Sequence, residues 1–354
     1  KKWKDYMIDL DNVEAIKSID KEDFCHTIIH MPEQDWEAYF KTNIVNKERI
    51  NKSAINKVIF VGMGGSAIAG DIIKTLFGKQ IDIQVVKDYY LPYFDEKTLF
   101  IFCSYSGNTE ETLSCMHIAK SKKANIWGIT TGGLLEKALG DEYAFIKIRE
   151  GFPPRSAIAY LFFSVVRILE LQGIIKEQKD TVKKVVASLM TKAGALTKTV
   201  PSMLNLAKSA AQQINGKLPL IYSVNNKLDP IAYRWKCQIN ENAKYPAFYH
   251  TFPEMNHNEI EGWEHKEFSK QFMPIFLRFF NDEKHYEKRL DAFKNLLKQQ
   301  DVDYLEFFAD GDTEMVQLFS LIYLGDMISY YIAILNETDP IAIEFINYLK
   351  EKIK

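Results

Sequence analysis

Only four cysteines, Cys25, Cys103, Cys115 and Cys237, occur in 354 residues, and no two form a CxxC pair. Three of them lie in apolar or amphipathic stretches where buried thiols are usual, which excludes a disulfide framework or a zinc knuckle as the expected design. Net charge is equally scarce, because 45 basic against 47 acidic residues leave −2. Such a chain has no global field for gathering nucleic acid or an anionic membrane, and neither is expected as a partner. No apolar run is read as approaching the roughly 18 residues of a transmembrane helix. The opening KKWKDYMIDLDNVEAI interrupts its apolar residues with charge too early for the core of a secretory signal. With 47% hydrophobic residues, the expectation is a soluble, cytoplasmic, globular protein of two domains. Any phosphate it binds must be held by local groups.

What is present is alternation. Residues 1–50 read as a polar, mostly helical extension with no strand pattern, covering the first domain. KVIFVGM (57–63), the helical spacing of SAIAGDIIKTLFG (66–78) and IDIQVVKD (81–88) then make one βαβ unit. TLFIFCSYS (98–106), an amphipathic helix at 108–123, NIWGITTG (125–132) and AFIKIRE (144–150) continue it, followed by helices from 157 to about 215. LPLIYSV (218–224) restarts the order through a helix at 228–241, AFYHTF (247–252), FMPIFLRFF (272–280), a helix at 283–298, VDYLEFF (302–308) and a long helix at 313–335. Strands alternating with helices predict an α/β protein with mainly parallel sheets covered on both faces. The expected division is 1–50, 51–215 and 216–354, the last two being copies of one architecture.

Two loops carry candidate chemistry. GMGGSA (62–67) lies between a strand and a helix, where small residues let backbone approach a ligand and the helix start offers unpaired N–H donors. Gly64, Gly65 and Ser66 are the candidate anion binders. Gly62, Gly64 and Ala67 also satisfy the dinucleotide spacing, with Asp82 or Asp88 as the ribose acid, so an NAD-dependent Rossmann dehydrogenase competes. A third reading is that these glycines only allow tight packing. SYSGNTEET (104–112) repeats the strand-to-helix setting and adds the hydroxyls of Ser104, Ser106 and Thr109. Hydroxyls with backbone N–H groups can ring a phosphate monoester without lysine, a loop the dinucleotide fold does not require. Alone, that string is also a turn with an N-cap.

GMGGSAIAGD (62–71), SYSGNTEET (104–112), GFPPRSAIAY (151–160), NENAKYPAF (240–248) and EMNHNEIEGW (254–263) together resemble the bifunctional phosphoglucose/phosphomannose isomerase family of the sugar-isomerase (SIS) superfamily. The resemblance runs from about residue 55 onward. It implies two SIS-type αβα sandwich domains and a cofactor-free conversion of glucose 6-phosphate, with mannose 6-phosphate, to fructose 6-phosphate through a cis-enediol. It also implies roles. Glu241 resembles the proton-transferring base, and His257 the ring-opening histidine, expected to reach the active site of a partner subunit and so to require a homodimer. Arg155, held behind Pro153 and Pro154, resembles the cation beside the enediolate. Lys350, chosen over Lys352 and Lys354 because it follows Leu349, resembles the lysine that assists ring opening.

Each residue also has a plainer reading. Glu241 could be a solvated helix carboxylate, His257 a cap shared with Asn256, Arg155 a surface ion pair, and Lys350 a favourable charge at a helix C-terminus. His257 and His265 lie among several glutamates, but the spacing is not HExxH, so no catalytic metal is expected. The aromatic stripe at 323–335 reads as core or dimer interface. Within the same fold the alternatives are a sugar-phosphate-binding regulatory protein and an amino-sugar isomerase.

Overall fold

Short β-branched and aromatic runs, bounded by glycine and polar turns, become strands because a pleated surface packs branched side chains well on both faces. The computed structural model describes residues 8–51, 53–225 and 227–353. They fold as two units, one of His30–Ala187 and the other of the residues up to Ile29 with those from Ser188 onward.

The His30–Ala187 unit holds six strands, β1 (Ile44–Val45), β2 (Lys57–Val61), β3 (Asp82–Val86), β4 (Thr98–Cys103), β5 (Asn125–Thr130) and β6 (Ala144–Lys147). Their order is β1-β6-β5-β4-β2-β3, parallel except for β1 against β6. All six residues of β4 are buried, as a central strand covered by helices on both faces requires. One face packs Ile59, Phe100, Phe102, Met116 and Leu135 into a common core.

The other unit holds β7 (Leu218–Val224), β8 (Phe248–Phe252), β9 (Phe272–Phe279) and β10 (Leu305–Ala309), all parallel in the order β10-β9-β7-β8. Tyr222, Phe252, Trp263, Phe276 and Phe293 form its aromatic core. The fold is therefore α/β with mainly parallel sheets, as expected. In each parallel sheet the strand C-termini share one edge, where ligands of such folds bind.

Three sequence-based expectations change. Residues 1–50 do not act as one extension: the part up to Ile29 joins the C-terminal half, where Tyr330 Oη donates to Asp20 at 2.9 Å and Lys198 pairs with Asp23 at 2.7 Å. From His30 onward the chain joins the first sheet, and β1 supplies a strand where none was expected. The division between units falls inside the Lys179–Leu196 helix, not near 215, because amphipathic periodicity runs through it without a break.

The third concerns membranes. The Glu314–Leu335 helix is long and apolar enough to cross one, yet its apolar window is wholly buried within the fold. The aromatic stripe within it is core, with Tyr323, Tyr330 and Tyr331 fully covered.

A buried carboxyl in the Met31–Phe40 helix gives a stability prediction. Asp35 is fully covered, neither oxygen has a hydrogen-bond partner, and burial pushes its pKa well above the ordinary 3.8. The folded state then favours the neutral acid while the unfolded chain ionises, so Asp35 costs more stability as pH rises above 3.8. Asp35→Asn, which cannot ionise, is expected to match wild type near pH 3.5. At pH 7 it should be more stable by about 1–3 kcal/mol in urea melts. A constant difference across that range would refute the assignment.

Candidate active site

The first glycine loop leaves β2 and turns into the Gly64–Phe77 helix. Gly64 sits at φ +49°, in the left-handed region that glycine adopts without cost. Gly65 is required for a different reason. A Cβ there would come within 2.9 Å of the Pro154 carbonyl and 3.0 Å of the Arg155 backbone, so the absent side chain lets the GFPPR segment lie directly against the helix start. Arg155 follows Pro153 in the Pro154–Ser156 turn and is only 3% exposed, which removes the reading of a surface ion pair.

The second loop leaves β4. Ser104 Oγ and Thr109 Oγ1 are hydrogen-bonded at 2.9 Å, and Ser106, exposed, accepts from the Asn108 N–H at 3.3 Å. Thr109 occupies the N-cap of the Glu110–Ser121 helix, but its side chain makes no capping bond. Its hydroxyl faces Ser104 instead, and the plain N-cap reading of this string does not describe it. The helix start keeps its positive dipole end toward the loop.

Three bonds of Tyr105 join these loops to one another and to the segment that carries Arg155. The Tyr105 N–H donates to Ser66 Oγ at 3.2 Å; Tyr105 Oη accepts from the Phe152 N–H at 2.9 Å and donates to the Arg149 carbonyl at 3.1 Å. Gly64, Gly65, Ser66, Ser104, Ser106, Thr109 and Arg155 thus gather at the C-terminal edge of the six-stranded sheet. Tyr105, which ties all three segments, was missed by sequence reasoning, although its place between two hydroxyl residues in SYSGNT was a usable signal. Asp82, one proposed ribose acid, begins β3 beside Lys57 at the start of β2, on the opposite edge of the sheet from the glycine loop.

Glu241, His257 and Lys350 belong to the other unit. Glu241 lies half-buried in the last turn of the Asp229–Ala243 helix. It lines a cavity of about 780 Å³ with Tyr245, Ile343 and Phe345. That helix is fixed by a row of side-chain bonds: Arg234 Nη2 donates to Asp326 Oδ2 at 2.6 Å, Gln238 Nε2 to Asp326 Oδ1 at 2.9 Å, and Asn242 Nδ2 to Ser329 Oγ at 2.9 Å. The i, i+4 spacing of 234, 238 and 242 places all three on one face. Trp235 Nε1 adds a bond to the Leu321 carbonyl at 2.8 Å, and a Cβ on Gly325 would sit 2.2 Å from that nitrogen.

His257 ends the Glu254–His257 turn and is exposed. It caps nothing: Asn258 is the residue whose side chain accepts from the next N–H, that of Glu259. Lys350 is exposed in the Glu344–Lys352 helix. Of the two lysines passed over, Lys352 is exposed at the end of the same helix and Lys354 lies outside the described residues. Among the described residues no three His, Cys, Asp or Glu side chains converge as a metal site would require.

A parallel α/β sheet with glycine and hydroxyl loops at its strand ends, followed by a second parallel α/β unit, is the arrangement the resemblance to the sugar-isomerase (SIS) superfamily leads one to expect. Residues 203–353 match the model described as the bacterial phospho-glucose isomerase C-terminal SIS domain. The bifunctional phosphoglucose/phosphomannose isomerase of Caldicellulosiruptor bescii is 38% identical across 92% of this chain and 98% of its own length. The enzyme of the same name from Aquifex aeolicus is 33% identical over 84% and 90%. A solved glucose-6-phosphate isomerase like protein from Thermus thermophilus superposes with a TM-score of 0.62 over 94% of this chain and 98% of its own. Its 18% identity speaks to the fold alone. The chain belongs to the bifunctional phosphoglucose/phosphomannose isomerase family.

Proposed function

We propose that the protein isomerises glucose 6-phosphate and mannose 6-phosphate to fructose 6-phosphate through a cis-enediol, with no metal and no nucleotide. The observation that carries this reading is near-full-length membership in a family named for those two activities, joined to a loop set suited to a phosphate monoester.

In this reading the backbone N–H groups at Gly64 and Gly65 and the hydroxyls of Ser66, Ser104, Ser106 and Thr109 hold the phosphate. The absence of lysine from these loops is consistent with that chemistry, because N–H and O–H donors at helix starts favour a dianion by themselves. His257 of a partner subunit, with Lys350, exchanges the ring-opening proton. Glu241 then takes the C2 proton and returns it to C1 while the carbonyl character moves from C1 to C2. Both epimers lose their C2 stereochemistry in the planar enediol, so one base serves both. Arg155 offsets the charge that develops on the enediolate oxygens.

The test measures fructose 6-phosphate formation from each sugar in excess chelator with no nucleotide added. Turnover of both is the expected result. Binding of both sugars without turnover would make the protein a sensor on an isomerase scaffold, and dependence on added metal or NAD would refute the enediol route as written. The shared site has its own readout. Mixing inactive Glu241→Gln with inactive His257→Ala is expected to restore activity, because each heterodimer rebuilds one site with both groups intact. No restoration after demonstrated subunit exchange would place the two groups on one chain.

A further inference from the structure

His257 is carried by a segment with little regular structure of its own. Residues 254–264 form only two 3₁₀ turns, Glu254–His257 and Glu259–Glu264, and such turns have poorer hydrogen-bond geometry than an α-helix. Side-chain hydrogen bonds that converge on Glu259 tie the segment to the sheet. Trp263 Nε1 donates to Tyr222 Oη at 3.2 Å, Tyr222 Oη donates to Glu259 Oε1, and His250 Nδ1 lies 2.6 Å from Glu259 Oε2.

A carboxylate only accepts, so both Tyr222 and His250 must donate to it. This puts the His250 proton on Nδ1 and uses the Tyr222 hydrogen outward, leaving its lone pair for Trp263. Both donors stand on strands, Tyr222 on β7 and His250 on β8, while Glu259 is two residues beyond His257. Burial and the adjacent Glu259 carboxylate together hold the Tyr222 hydroxyl protonated, its pKa well above the ordinary range. Met255 and Trp263 are the only described residues of 254–264 that are themselves buried. The turn that presents His257 therefore hangs between two buried anchors, with Glu259 as its polar tie to the strands.

We infer that Glu259, His250 and Tyr222 form a clamp that positions His257 for ring opening. They are positioning residues, with no contact to substrate implied. The inference rests on the role given to His257 above, and the experiment separates the two. In Glu259→Gln, hydrogen exchange of the 254–264 amides is expected to rise about tenfold, with Tyr222→Phe giving a smaller rise. Unchanged exchange in both variants overturns the clamp.

For turnover, Glu259→Gln is expected to lower kcat on glucose 6-phosphate by about 10²-fold. KM should hold within about threefold, since the phosphate loops are untouched. In a His257→Ala background the same change should have no further effect, the mark of two residues acting through one function. An equal loss in both backgrounds overturns the inference and leaves His257's role standing. Full turnover by His257→Ala alone overturns that role and, with it, this use of the clamp.

Discussion

Glu241→Gln is expected to lower kcat on glucose 6-phosphate by about 10³-fold, the scale of losing a positioned general base. The amide keeps the shape of the carboxylate and can still hydrogen-bond, but it cannot accept a proton from C2. KM should change little, because in this reading the phosphate contributes most of the binding and Glu241 is not among the groups that hold it. Stability should be nearly unaffected: Glu241 is half-buried at a helix end, and the bonds that fix its helix belong to Arg234, Gln238 and Asn242. The mannose 6-phosphate reaction should fall by the same factor, since both epimers pass through one proton transfer. Exchange of the C2 proton with solvent deuterium should fall in parallel. A variant that retained wild-type exchange while losing isomerisation would assign Glu241 to a later step, and equal kcat in variant and wild type would remove it from the mechanism.

How much of this was legible before folding depends on where the information sits. Most strands of both sheets could be read because they are short runs rich in apolar, aromatic and β-branched residues, and the two loops because glycine and hydroxyl residues stand between a strand and a helix. β1 could not be read, since Ile44 and Val45 are too short for any periodicity and become a strand only by pairing with Phe145 and Ile146. The unit boundary was equally hidden, as the Lys179–Leu196 helix crosses it with unbroken spacing.

The longest error concerned Glu314–Leu335. Its charges at Glu314 and Asp326 masked a run as apolar as a membrane span, and only the fold shows why Asp326 is tolerated there: Arg234 and Gln238 meet it from another helix, about ninety residues away in sequence. The same separation hid the clamp. His250, Tyr222 and Glu259 carry no mutual spacing that marks them, because strand pairing and not sequence proximity brings them together. His257 and Glu241 were named from a resemblance to known enzymes; nothing in their local pattern distinguished them from an exposed turn histidine and a helix glutamate.

Asp326→Ala tests whether this buried polar seam serves the site. Arg234 and Asp326 are 3% and 1% exposed, so the substitution takes a carboxylate away from a guanidinium and an amide in a region water does not reach. Breaking a buried pair on one side costs about 3–5 kcal/mol, and urea melts should show a loss of that size. The contrast is the double variant Arg234→Met, Asp326→Leu. It removes both charges while keeping volume, and most of the stability should return, because a buried pair seldom outperforms apolar packing of similar shape. Activity should separate from stability here. The seam runs along the stripe of the Asp229–Ala243 helix that also carries Glu241, seven residues on from Arg234 and three from Gln238, and its last tie, Asn242 to Ser329, is one residue from Glu241. If the seam sets the angle of that helix, the refolded double variant should remain below wild type in kcat even with stability recovered. Full recovery of both would show that packing alone places Glu241, and that the polar residues along the helix serve only to satisfy one another.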